Sequence, residues 1–229
     1  MSSITTPVEG QDPEAVAHAH HNPHLQHHFA TAEQQFDTVK IGIWLFLATE
    51  ILMFGGLFAG FAYMQNRFPE AFYLGHKDLQ QGLGTLNTIV LLISSFTMVM
   101  AVNKAATNKR KQLIVYLCIT IFCALVFLGV KYIEYSTHYH ECMLPGKYYC
   151  NPGDPTGHQF IFFSFYFMMT GLHGIHILLG IVALSWLLRR AIRGDFSSSY
   201  YNPVDAVGLY WHLVDVIWIF LFPLLYLIA

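Results

Sequence analysis

The stretch Tyr210–Phe220, YWHLVDVIWIF, decides how this chain is read. It places a histidine, His212, and an aspartate, Asp215, three residues apart inside a run that is otherwise hydrocarbon. From Ala206 to Ala229, Asp215 is the one charged residue. The same pattern recurs upstream. Ile41–Asn66 holds a single charge, Glu50, and Leu79–Asn103, Gln112–Val130 and Pro155–Leu188 hold none. Charged residues are 11% of the chain, against about 25% in an ordinary soluble domain. A membrane-crossing helix needs roughly 20 mostly apolar residues, and a barrel strand only about 10 with alternating polarity. The reading is therefore all-α: a polytopic membrane protein with a bundle of five transmembrane helices. They are expected at about 40–64, 81–103, 112–135, 158–188 and 205–228.

Residues 1–39 have no apolar run and read as a polar, histidine-rich arm outside the 40–229 bundle, with no cleavable signal peptide. Six of the chain's 13 histidines lie in HAHHNPHLQHH, His18–His28. The arm is read as solvated, with metal binding as the sharper alternative. Cationic residues set direction. Alternating helices place Lys40, Lys104, Lys109, Arg110, Lys111, Arg189, Arg190 and Arg193 on one side and Arg67, Lys77, Lys131 and Lys147 on the other. That bias puts the N-terminus in the cytoplasm and the C-terminus outside. Cys142 and Cys150 then lie in an outer loop, where an oxidising compartment makes a disulfide between them the expectation. Zinc held by His138, His140 and these cysteines is the weaker reading of the loop, because their spacing is irregular.

Ionisable groups at mid-membrane are costly, and each is a functional hypothesis. At ~1.5 Å of rise per residue, Glu50, His173 and Asp215 fall near one depth. His173/His176 and His212/Asp215 are each spaced i, i+3, on one face of a helix. Three chemistries compete for these residues: a metal or haem site, a proton or ion path, and a structural polar cluster that binds helices or a lipid headgroup. Desolvation penalises a charged carboxyl, so Glu50 is expected to be neutral or paired with a histidine. Gly56 and Gly60, and Gly171 and Gly174, are candidates for close helix approach. Asn87, Thr88, Ser94, Ser95 and Thr97 read as helix-packing glue, and Lys131 with Glu134 as an ion pair near the outer interface with the lysine snorkelling.

Taken together, WLFLATEILMFGGLFAGFAY (Trp44–Tyr63), LNTIVLLISSFT (Leu86–Thr97), GVKYIEY (Gly129–Tyr135), YFMMTGLHGIHILLG (Tyr166–Gly180) and YWHLVDVIWIFLF (Tyr210–Phe222) resemble, in order, segments of subunit III of the haem-copper terminal oxidases. The resemblance implies a chain with no redox centre of its own, packed on subunit I of a cytochrome c oxidase. Haem and copper would sit in partner subunits I and II. It further implies phospholipid binding in a cleft, support of proton uptake, and protection of the complex during turnover in a bacterial inner membrane. The family's mid-membrane glutamate would be Glu50, and its helix histidines would be His173, His176 and His212, with Asp215. Mitochondrial members have seven helices. This chain lacks the first two, which weakens the expectation for the lipid cleft more than that for packing. Thr49 stands where the family usually has serine. A quinol oxidase or nitric-oxide reductase subunit is the nearest alternative. A stand-alone proton-coupled carrier is the next, and the lack of an inverted repeat argues against it. No nucleic-acid surface is present, and membership of a larger respiratory assembly stays open.

Overall fold

A hydrocarbon environment leaves backbone N–H and C=O groups no partner but one another, so the apolar runs become helices. The computed structural model describes residues 32–141, 143–145, 149, 157–198 and 200–227. Six helices are present among them: α1 (Ala32–Arg67), α2 (Pro69–Lys77), α3 (Gln81–Ala106), α4 (Arg110–His140), α5 (Gln159–Arg193) and α6 (Asn202–Tyr226). Five are long and apolar enough to cross a membrane, as expected, and α2 is the short exception. The spans outrun their expected bounds at most ends, because polar residues continue each helix beyond the hydrocarbon. The histidine-rich stretch and both loop cysteines, Cys142 and Cys150, lie outside the described residues. Of the described residues, those up to Trp44 fall in one unit and those from Leu45 onward in a second.

The helix ends follow local chemistry. Pro69 disfavours helical geometry at Phe68, so α1 stops there and Pro69 opens α2. At the end of α5, Gly194 adopts a left-handed φ of 89°. Its N–H donates to Ala191 O, and that of Asp195 to Arg190 O, closing the terminus. Arg110, from the first turn of α4, donates from Nε to Ala191 O at 2.9 Å and from its second nitrogen to Ile192 O. A cation thus covers the negative end of the α5 dipole.

Within the second unit α3 packs most extensively on α4 and then on α6, while α5 touches α4, α6 and α2. The core between them holds Trp211, Trp218, Tyr166, Phe127 and Met98. α1 behaves differently. Its buried residues are Leu47, Phe54 and Phe61, seven apart, a single narrow stripe. Leu45, Ile51 and Leu52 point away from the bundle.

The glycines that permit close packing are not those expected. A Cβ on Gly75 or Gly180 would lie 2.5 Å from the rings of Phe162 and Trp211, and one on Gly84 2.9 Å from Phe222. Gly60 approaches Phe165 at ordinary contact, and Gly171 only the Tyr135 hydroxyl at 3.8 Å. Gly56 and Gly174 meet nothing within 4 Å, so close approach within this chain does not explain them. A GxxxG spacing marks a face without saying whether a neighbour occupies it.

Candidate functional site

The residues that share a depth do not share a site. Residues three apart on a helix differ by about 60° in azimuth, enough in a five-helix bundle to send neighbours to different partners. The expected cluster resolves into three arrangements, and a fourth buried polar group joins them.

The first links α1 to α5. Glu50 Oε2 lies 2.8 Å from His176 Nε2, with both side chains largely buried. His176 Nδ1 lies 2.8 Å from the carbonyl of Leu172. A carbonyl can only accept, so Nδ1 carries a proton. The contact between Nε2 and Glu50 then holds one further proton, on the imidazole or on the carboxyl. The expected pairing of Glu50 with a histidine is thus present in the geometry. Tyr210 on α6 donates to His176 O at 3.0 Å, and the Phe54 ring meets His176 edge-on.

The second is His173, fully buried and wedged between the rings of Phe127 and Trp218. Neither of its ring nitrogens has a hydrogen-bond partner among the described residues.

The third lies between α3 and α6. His212 Nδ1 shares a 2.9 Å hydrogen bond with the Ser95 hydroxyl. Asp215, one turn further on, is buried, and neither carboxyl oxygen has a hydrogen-bond partner by the distance and angle of the bond among the described residues. Around them the hydroxyls of α3 act as glue, as expected. Trp211 Nε1 donates to Ser94 Oγ and Trp218 Nε1 to Thr88 Oγ1, each at 3.0 Å. Thr97 bonds Thr120 of α4 at 2.9 Å. Asn87, on the same helix, is buried with no side-chain partner among the described residues.

The fourth corrects the expectation of a snorkelling lysine. Lys131 is buried, 7% exposed, and Glu134 more so. Lys131 Nζ donates to Glu134 Oε2 at 2.8 Å and to the Tyr226 hydroxyl at 2.7 Å, and Tyr226 donates in turn to Glu134. The ammonium also sits 4.7 Å above the Trp218 ring. Sequence placed the pair near a helix end, but α6 ends beside it and supplies Tyr226 from 95 residues away. The available signal was the pair's i, i+3 spacing on the face that also carries Phe127.

Among the described residues no three histidine, cysteine, aspartate or glutamate side chains converge on a point where a metal could bind. The histidines are dispersed among a carboxyl, two rings and a hydroxyl. Such an arrangement can hold protons and tie helices together.

A family model described as cytochrome c oxidase subunit III matches residues 19–229. The chain belongs to the subunit III family of haem-copper oxidases. It is similar to a protein named probable quinol oxidase subunit 3 of Staphylococcus saprophyticus, with 31% identity over 83% of this chain and 89% of that one. The protein of the same name in Staphylococcus aureus strain USA300 is 30% identical over the same shares. The match to the subunit III family spans all five long helices, and so takes in Glu50, His173, His176, His212 and Asp215.

Proposed function

We propose that this subunit III is the non-catalytic, lipid-binding partner of the redox subunits of a respiratory oxidase, supporting proton uptake and turnover stability during oxygen reduction. The observation that carries the reading is the Glu50–His176 contact. On this reading the contact holds a shared proton inside the bundle on α1, a helix whose outer apolar residues the other described residues leave uncovered. Haem and copper are assigned to subunits I and II, and phospholipid to the exposed apolar faces. The complex is assigned to a bacterial inner membrane with the N-terminus cytoplasmic, following the cationic side chains. Membership of a larger respiratory assembly would add contacts on the same faces.

Two donors fit the family. Its description supports cytochrome c, and the names of the relatives support quinol. The choice belongs to other chains, and one experiment makes it. The chain is tagged and drawn from native membranes in mild detergent, and oxygen consumption is followed with reduced cytochrome c and with a quinol. Haem-bearing partners and oxygen uptake are the expected result, with the effective donor naming the class. A colourless chain recovered alone and folded would overturn the reading and return Glu50 to the carrier alternative.

A further inference from the structure

A cavity of about 280 Å³ opens between α3 and α6, with Ser95, His212, Asp215 and Trp218 inside it and Leu92 and Ile219 at its rim. The rim residues are half exposed, so an entrant comes from the hydrocarbon layer. Three observations restrict what that entrant is. The first is the acid. Asp215 is 2% exposed, lines the cavity, and has no hydrogen-bond partner for either carboxyl oxygen among the described residues. A buried polar group left unpaired is costly, and a carboxyl accepts from a hydroxyl in either protonation state. Ser95 bonds His212 Nδ1, and Thr88 donates to Gly84 O and accepts from Trp218, so Asp215 and His212 are the ionisable groups lining the cavity. The second is charge. Among the described residues no lysine or arginine lines the cavity, so an anionic phosphate finds no counter-ion there. The third is depth and size. Asp215 stands thirteen residues from one end of α6 and eleven from the other. At ~1.5 Å per residue that is mid-membrane, well below the level of lipid headgroups. The volume is at the lower limit of small-molecule pockets, room for one ring beside Trp218.

We propose that the α3–α6 cavity binds the ring of a membrane-dissolved hydroquinone, its hydroxyl hydrogen-bonded to Asp215 and its second polar contact made to His212. The site is a binding site, and no electron leaves or enters it through this chain. It stands whichever donor feeds the complex.

The test uses the intact oxidase complex in phosphatidylcholine vesicles, irradiated with an azido-substituted alkyl hydroquinone and mapped after digestion. Label should fall on the peptides holding residues 86–97 and 210–222. Excess decyl hydroquinone should suppress it about tenfold or more. Asp215→Leu should lose it to a similar degree. Should that variant not assemble, Leu92→Trp at the rim blocks access without touching a polar bond and should do the same. The carbonyl band of Asp215 in infrared difference spectra should shift when decyl hydroquinone is added. Label absent from both peptides overturns the proposal, as does suppression by phosphatidylglycerol or cholesterol but not by decyl hydroquinone, or label unchanged in the variants. Oxygen consumption with each donor, scored on the same preparation, separates failure of this site from failure of the oxidase reading.

Discussion

Glu50 on α1 and His176 on α5 meet at 2.8 Å between Oε2 and Nε2, and this contact is the polar tie between the helix that packs most thinly and the one whose histidines lie deepest. The Leu172 carbonyl fixes the histidine ring so that Nε2 faces the carboxyl. Leu47, Phe54 and Phe61 are the buried apolar anchors of that part of α1, with Leu57 and Phe58 half-buried against the core.

Loss of either partner should therefore loosen α1. Glu50→Ala or His176→Ala is expected to cost about 1.5–3 kcal/mol, the range for a hydrogen bond to a charged group. The double variant should cost little more than either single one, because the two act as a unit. Glu50→Gln should be milder, since its amide can still donate to Nε2. Thermal unfolding of the purified complex measures all four, and simple additivity would show that the contact does not couple the helices.

The buried trio of Lys131, Glu134 and Tyr226 makes a sharper contrast. A lysine that snorkels to the interface can be replaced within about 0.5 kcal/mol. Lys131→Met instead leaves Glu134 buried with Tyr226 alone, and is expected to cost about 3–5 kcal/mol. Lys131→Met with Glu134→Leu removes both charges and should recover much of that loss. Folded yield and unfolding temperature of the two variants check the sign of the difference.

Sequence reveals depth well and azimuth poorly, which is why the five spans were legible and the single polar cluster was not. Hydrocarbon imposes length and composition on every crossing helix, and those are read directly. Rotation about the axis depends on which neighbour each face meets. His173 and His176 look equivalent in TGLHGIH, yet one is stacked between Phe127 and Trp218 and the other meets Glu50. The depth of Lys131 was misjudged for a related reason. Its position in α4 was clear, but Tyr226 closes over it only because α6 runs back to the same level. α2 escaped notice because its nine residues are too few for a span and sit between two helices that dominate the pattern.

Asp78, in the short connection between α2 and α3, gives a pH dependence. Partial desolvation of this exposed side chain first, and the negative charge of Glu141 second, push its carboxyl above the ordinary value of 3.8. The folded chain then holds this proton more tightly than the unfolded chain does. Stability from this group is therefore fully present at low pH and declines as pH rises from the ordinary value through the raised one. Asp78→Asn should flatten that decline and leave stability at the acid end unchanged. Chemical denaturation of the complex across the acid range follows it, and a variant that loses stability more steeply with rising pH would contradict the assignment.

Two glycines six residues apart on α5 separate packing from propensity. Alanine replaces glycine in an exposed helix interior with a gain of about 1 kcal/mol. At Gly174 a Cβ meets open space, so Gly174→Ala should be neutral or stabilising by up to that amount. At Gly180 the Cβ would come within 2.5 Å of the Trp211 ring. That ring has no room to retreat. It is fully buried, and its Nε1 is held by Ser94 Oγ at 3.0 Å. Overpacking a filled core costs about 1–3 kcal/mol, and here it competes with the propensity gain. Gly180→Ala should thus be destabilising despite alanine's helical preference, and Gly180→Val more so, since its branches extend further into the ring. If both alanine variants unfold at the same temperature as the parent, α5 and α6 do not approach as closely at this level as Gly180 and Trp211 require.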